Sequence, residues 1–517
     1  MNIKRAKQEI KDAIQAYLKK DAYGEYQIPS VYQRPILLMG PPGIGKTQIM
    51  EQIARECRIA LVSYTITHHT RQSAIGLPFI RQKTYDGQEV SVTEYTMSEI
   101  IASVYDKMEE SGLREGILFI DEINCVSETL APAMLQFLQC KTFGNRQVPE
   151  GWIIVAAGNP PEYNKSVREF DVVTLDRLKR IDVEENFEVW KEYAYQVGIH
   201  PAIIAYLELR RENFYRMETT VDGRLFATAR GWEDLSRLIL VYEELGKKVD
   251  REVVHQYIQH WKVAKDFANY LDLYRKYRKD YGLDRILQGN YGEDTLEKLK
   301  FAAFDERLSV VSLLIGRLGG YFREAYEKDQ FVSDLFVWLK RYKQMVDEVE
   351  EQGIAQELYA GGGILKTICA RAKEELEQKK RAGQLGRGEG HRAEAVLEML
   401  QDYRKRLKEK HLSGREGLAY VKQLFAKEAQ EREEKADQAL KALNHGFDFM
   451  EDAFGESQEM AVFVTELNTS FYSVWFLKEN DCPQYYKYNK GLLFDERQQD
   501  ILKEMDEAEA AMERGLK

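Results

Sequence analysis

Residues 40–48 have the types and spacing to cradle a chain of phosphates. Gly40, Pro41, Pro42, Gly43, Ile44, Gly45, Lys46 and Thr47 fit G-x-x-x-x-G-K-[ST] at every fixed position, and Gln48 follows in the first helical turn. The glycines permit a loop whose backbone N–H groups turn inward and approach a ligand closely. Lys46 would reach the outer phosphates, and the Thr47 hydroxyl would bind Mg²⁺. About 75 residues later come Asp121 and Glu122. Asp121 would hold the hydration shell of the Mg²⁺, and Glu122 would polarise a water for attack on the terminal phosphate. Asn159 could orient that water; its other reading is a turn-forming Asn before Pro160.

Such groups need a scaffold that gathers distant segments. Ile36–Met39 reads as a short buried strand before the loop. The stretch after Thr47, QIMEQIARECR, has helical spacing, so a helix N-terminus would face the phosphates. Ile59–Ile66, Gly116–Ile120 and Gly151–Ala157 read as further buried strands. Asn159 would then sit at the carboxyl end of a parallel strand, where open α/β sheets bind ligands. Ser127–Leu138 reads as a helix entered through Ser127. Residues 76–95 read as a hairpin with Asp86-Gly87 as a type I′ turn, and helical spacing resumes over Met97–Met108. The basic segment Leu175–Arg180 reads by itself as a solvated helix end. Residues 184–250 read as all-helical, with helices near Phe187–Val197, Pro201–Arg211 and Gly231–Leu245.

A chain of 517 residues exceeds one ordinary core, so several domains are expected. The expected class is α/β: residues 31–183 form a P-loop core with a parallel sheet, 184–250 a small helical lid, and 251–517 a large all-α region. Residues 1–30 read as an amphipathic docking helix, with Ile10, Ile14 and Leu18 on one face and no signal-peptide core. Long charged helices near 393–443 suggest a solvated antiparallel hairpin. The runs Gly361–Gly363 and Gly383–Gly390 follow no strand and read as hinges or helix ends. Two copies of Phe-Asp-Glu-Arg suggest helix starts, with Asp305 and Asp495 as N-caps.

The net charge of -11 does not favour a general nucleic-acid coat, though a local basic groove stays open. Five cysteines in no C-x-x-C pair point away from a disulfide framework or a structural zinc, and towards a reducing compartment. Cys125 reads as a small packing residue. His68 and His69 have no third ligand at sensible spacing and read as a polar turn. No run of 18 apolar residues suggests a membrane span.

The ordered set GPPGIGKT, ILFIDEIN, AAGNPPEYN, TLDRLKR and TARGW, over about residues 30–245, resembles the MoxR branch of AAA+ ATPases. The hairpin at 76–95 looks like the helix-2 insert of that clade. The resemblance implies that Gly40–Thr47 is Walker A, Asp121 and Glu122 are Walker B, and Asn159 is sensor 1. It makes Arg177 the arginine finger, with Arg180 as the other candidate, and Arg230 sensor 2. Leu178 stands where the family has Phe, and Ala229 where it more often has Pro. ATP rather than GTP rests on the family alone.

The resemblance further implies a cytoplasmic ring, commonly a hexamer, in which an Arg from one subunit completes its neighbour's site. Its expected work is remodelling of a protein client, with a von Willebrand factor A-domain protein as partner and no membrane. The alternative is a nucleic-acid-dependent motor, which would need a basic stripe beginning at Arg71, Arg81 and Lys83. A third reading, a nucleotide-gated scaffold with little turnover, is disfavoured by Glu122 and Arg177.

Overall fold

The computed structural model describes residues 1–68, 71–143, 146–163, 167, 170–220, 223–351 and 362–490. The second Phe-Asp-Glu-Arg with Asp495, and also His69 and Gly361, lie outside the described residues. In chain order the first part gives α1 (Ile3–Leu18), β1 (Ile36–Met39), α2 (Lys46–Cys57), β2 (Ala60–Thr65), α3 (Arg71–Ile75), β3 (Pro78–Tyr85) and β4 (Gln88–Tyr95). Next come α4 (Glu99–Ser111), β5 (Gly116–Asp121), α5 (Ala131–Cys140), β6 (Thr142–Phe143), β7 (Arg146–Gln147), β8 (Trp152–Gly158), α6 (Val172–Leu175) and β9 (Lys179–Asp182). Then follow α7 (Phe187–Val197), α8 (Pro201–Leu209), β10 (Arg216–Thr220), β11 (Gly223–Ala227), α9 (Ala229–Glu244), α10 (Arg251–Tyr257) and α11 (Trp261–Tyr281). The remainder is helical: α12 (Leu283–Ile286), α13 (Glu293–Phe301), α14 (Phe304–Glu351), α15 (Gly363–Arg381), α16 (Arg387–Glu409), α17 (Gly414–Phe454), α18 (Gln458–Thr469) and α19 (Phe471–Glu479).

The chain forms two compact units. One is Met1–Val189 together with Gly363–Arg404; the other is Trp190–Gly362 with the chain from Lys405 onward. The first unit is built on a five-stranded parallel sheet of order β2-β5-β8-β1-β9. Its three central strands are apolar because both faces are covered. Leu37, Leu118, Ile120 and Ile154 face α4 and α5, whereas Leu38, Ile117, Phe119 and Val155 face α1 and α2. Helix α1 closes that second face through Ala6, Ile10 and Ile14, capped by Asn2, whose side chain accepts from the Arg5 N–H. From its outer face Lys7 and Lys11 pair with Glu56 on α2.

The hairpin at 76–95 is present as β3 and β4, in antiparallel register through Tyr85 and Gln88. Asp86 and Gly87 both have positive φ, 48° and 79°, as a type I′ turn requires. Arg81 and Lys83 share Glu94 across the hairpin, so the one carboxylate offsets half of their combined charge in the expected basic stripe. Helix α15 packs against α4 in the same unit, and Lys107 donates to the Arg381 carbonyl at 3.2 Å.

Several local expectations are corrected. Helix α5 begins at Ala131, not Ser127; Ser127–Leu130 is a turn whose first carbonyl accepts from the Leu130 and Ala131 N–H groups. Segment 175–180 is not a helix end throughout, because Lys179 and Arg180 open β9, which pairs with β1. Residues 184–250 are not all-helical, since β10 and β11 form an antiparallel hairpin. Asp305 is not an N-cap; α14 starts at Phe304, so Asp305 lies inside the first turn. Of the Gly383–Gly390 run, Gly383 and Gly386 separate α15 from α16, whereas Gly388 and Gly390 lie inside the first turn of α16.

In the second unit, Tyr206, Trp232 and Phe267 pack tilted and edge-to-face into one aromatic core with ring centroids 5.2–5.8 Å apart. The long helices α14 and α17 run antiparallel, because Lys328 pairs with Glu428 and Glu431 while Glu324 pairs with Lys435. Among the described residues no helix is long and apolar enough to cross a membrane.

Candidate nucleotide-binding site

The loop of residues 40–45 joins β1 to α2 at the carboxyl edge of the sheet. Gly43 and Gly45 have φ of +79° and +92°, which residues with a Cβ rarely adopt. At Gly40 the reason for glycine is space, since a Cβ would lie 2.8 Å from the Val183 carbonyl oxygen. Gly45 occupies the N-cap of α2, so the helix opens at Lys46 directly from the loop.

Lys46 is 8% exposed. Its Nζ donates to the carbonyls of Gly40 (2.7 Å) and Pro41 (2.8 Å) and to Oδ1 of Asn159 (2.9 Å). Those acceptors are neutral, so phosphate oxygens could replace them with a stronger, charge-assisted bond. The Thr47 hydroxyl donates to Asp121 Oδ2 at 2.9 Å, and the other oxygen of Asp121 accepts from the Glu122 N–H at 2.9 Å. Thr47 and Asp121 thus set two hard oxygen donors side by side, a donor set that fits a magnesium ion.

Glu122 stands one residue past β5 in the left-handed region, φ 57° and ψ 34°. A non-glycine residue there is uncommon and costs energy. Among the described residues its carboxylate has no hydrogen bond or ion pair, so it is available as a base. Asn159 follows directly on β8, as the sheet argument requires.

Sequence reasoning singled out Asn159 but missed the residue that holds it. Asn124, 3% exposed, donates from Nδ2 to the Asn159 carbonyl at 2.8 Å and accepts at Oδ1 from the Asn159 N–H at 3.3 Å. A Cβ on Gly158 would lie 2.6 Å from that Oδ1. The signal was the Asn two residues after Glu122, inside an otherwise apolar stretch.

The structure brings Lys46, Thr47, Asp121 and Asn159 together through these bonds. It does not bring Arg177 to them. The Arg177 guanidinium donates to Gln139 Oε1 on α5 at 2.5 Å, and Arg180, on β9, donates to Asp182 at 2.9 Å. Arg230 belongs to the other unit, exposed in the first turn of α9, whose cap Thr228 accepts from the Gly231 N–H.

Residues 36–179 match the model of the ATPase family associated with various cellular activities (AAA). Residues 36–179 are an AAA ATPase domain. The matched span opens at β1 and closes as β9 begins, so it is the sheet with its nucleotide loop. The chain is also similar to an ATP-dependent protease ATPase subunit HslU of Jannaschia sp. (strain CCS1), with 26% identity over 107 residues. That match covers 20% of this chain and 24% of the relative, so the chain spans about a quarter of the length of that protein. The AAA part of the expected resemblance therefore holds over the sheet and its loop.

Proposed function

We propose that this chain is a MoxR-type AAA+ subunit that hydrolyses ATP within a ring and remodels a protein client in the cytoplasm. The observation that carries the reading is the Thr47–Asp121 bond of 2.9 Å beside the Lys46–Asn159 bond of 2.9 Å. It supports one compact site for phosphate binding, metal holding and water orientation. Lys46 would exchange its present acceptors for β- and γ-phosphate oxygens. Thr47 and Asp121 would hold Mg²⁺, which supplies charge stabilisation on the phosphates when bound. Glu122 would accept a proton from water as the water oxygen bonds to the terminal phosphorus and the bond to the leaving ADP oxygen breaks. Asn159 would orient that water. Arg177 or Arg180 would act on a neighbour's site, which suits a cyclic arrangement, a hexamer in this reading. Arg230 would add a cation from the helical lid.

The name of the relative, an ATPase subunit of a protease, favours a protein client over a nucleic acid. The exposed hairpin β3–β4 also favours a binding surface, with Ile80 75% exposed and Phe79, Tyr85 and Val90 more than 40% exposed. A von Willebrand factor A-domain protein is the partner proposed. The test is phosphate release with Mg²⁺ and with EDTA, followed by affinity capture with the Glu122→Gln variant held in ATP. Mg²⁺-dependent turnover and recovery of a metal-site A-domain protein are expected. Turnover that responds only to DNA, with no protein captured, would sink the client reading.

A further inference from the structure

A second cleft, wholly within the second unit, has a chemistry unlike the rest of this acidic chain. It measures about 440 Å³ and is lined by Arg210, Arg216, Trp261, Lys262, Lys265 and Asn269, among others. Trp261 opens α11 and is 52% exposed, an unusual position for the largest aromatic side chain. The turn beneath it is fixed, because buried His260 caps the helix by accepting from the Val263 N–H. Lys262 holds its ammonium 5.5 Å from the indole centroid.

The four cations differ in how they are held. Arg210 pairs with Asp266 at 2.9 Å, and Asp266 in turn accepts from the buried Tyr206 hydroxyl. Arg216 pairs with Glu218 at 2.5 Å and also donates to Asn213 Oδ1. Both guanidiniums are therefore oriented in advance. Among the described residues, Lys262 and Lys265 have no carboxylate partner. The lining carries four cations against two carboxylates, Glu212 and Asp266, in a chain of net charge -11. An exposed flat ring beside unpaired ammonium groups matches a ligand with a flat ring and a phosphate.

We propose that this cleft binds a nucleoside phosphate, its base stacked on Trp261 and its phosphate between Lys262 and Lys265. Arg210 and Arg216, their charges offset by Asp266 and Glu218, add oriented N–H donors at the wall, and the Asn269 amide lies within the lining as a partner for a base edge. The group is presented either by a free nucleotide or within a single strand. The site is separate from the loop at Gly40–Thr47 and does not depend on the function proposed for that loop.

The experiment uses the full chain, with Trp261→Ala and the double variant Lys262→Glu/Lys265→Glu. One arm measures anisotropy of a fluorescein-labelled oligothymidylate of about 20 nucleotides at two salt concentrations. The other titrates uridine monophosphate by calorimetry, a probe without the outer phosphates that Lys46 would hold. Binding of the oligonucleotide assigns a strand; binding of the monophosphate alone assigns a free nucleotide. In either case Trp261→Ala should weaken binding about tenfold or more, in line with base–aromatic stacking. For a strand, the charge variant should flatten the salt slope by about 1.4, two contacts at about 0.7 each. Basal ATP turnover should not change in either variant, which shows that they fold. The proposal is wrong if neither probe binds at about 50 mM salt, where such contacts are strong, or if both variants bind as the parent does.

Discussion

Asn124 grips the main chain of Asn159 from both sides, donating to its carbonyl at 2.8 Å and accepting from its N–H at 3.3 Å. The side chain of Asn159 meanwhile accepts from Lys46 at 2.9 Å. A buried amide three residues past β5 thus fixes a residue just past β8, and through it the lysine of the loop. Asn124 makes no bond to the loop itself, so it is a positioning residue. Asn124→Ala should lower kcat about tenfold or more, since small misplacements at a reacting centre are costly, with ATP affinity little changed. The effect should vanish in an Asn159→Ala background, because the two act as a unit. Gly158→Ala should mimic it by pushing into Asn124 Oδ1. Measured kcat and nucleotide affinity for the four members of the cycle check this; equal losses in both backgrounds would mean that Asn124 only supports the fold.

Arg177 is tied to Gln139 and Arg180 to Asp182, and neither is bonded to the loop of its own subunit. An arginine that serves a neighbour gives a distinctive mixing result. Glu122→Gln and Arg177→Ala should each be nearly inactive, with turnover down about a thousandfold for the loss of a trans arginine. Mixed before assembly, they should regain activity, up to about a quarter of the parent rate if subunits distribute at random. The competent interface takes Glu122 from one subunit and Arg177 from the other. Phosphate release from the mixture is the measurement. The same mixture made with Arg180→Ala decides between the two arginines.

Much of this site could be read before any coordinates, for a physical reason. A loop that wraps phosphates needs glycine at set positions, and strand-end carboxylates need an apolar strand, so the chemistry is written locally. What depends on contacts between distant segments was not legible. No spacing rule tells that Asn124 reaches the backbone of Asn159, 35 residues on. Lys179 and Arg180 look like a helix end until β1 offers them a parallel edge. Hairpin β10–β11 did have a local signal, the Asp222-Gly223 pair, which the helical spacing around it outweighed. The return of Gly363–Arg404 to the first unit rests on packing against α4 and has no signature in composition.

Lys141 gives a pH-dependent prediction. It ends α5 in the left-handed region, 7% exposed, and its Nζ donates to the Ser30 carbonyl at 2.5 Å. Burial pushes its ammonium down to about 8. The unfolded chain therefore holds the proton more tightly between about pH 8 and the ordinary lysine value, and stability rises with pH across that window. The cost is present in full below pH 8 and is gone above the ordinary value. Lys141→Met removes it, at the loss of one hydrogen bond. The variant should be more stable than the parent at pH 7, by about 1–3 kcal/mol, and the gain should shrink by pH 10. Denaturation midpoints of both proteins at the two pH values check the sign; a gain that grows with pH would overturn it.

The second unit contains a buried charge cluster with the opposite behaviour. Lys191 on α7 donates to Glu208 on α8 at 2.7 Å and to Glu466 on α18 at 2.8 Å. The Tyr195 hydroxyl donates to the other oxygen of Glu466 at 2.5 Å. The lysine and Glu466 are each less than 10% exposed. Burial opposes the lysine charge, but the two carboxylates outweigh it and hold the ammonium above its usual range. Removing one member strands the others in a low dielectric. Lys191→Met should therefore destabilise the unit by about 3–5 kcal/mol, the usual cost of a broken buried pair. Adding Glu466→Leu should recover most of that loss, since well-packed apolar groups replace such pairs at little cost. Glu466→Leu alone should cost less than Lys191→Met, because Glu208 still pairs with the lysine. Thermal midpoints of the three variants test this order; a double variant no more stable than Lys191→Met would show that the cluster contributes through packing rather than charge.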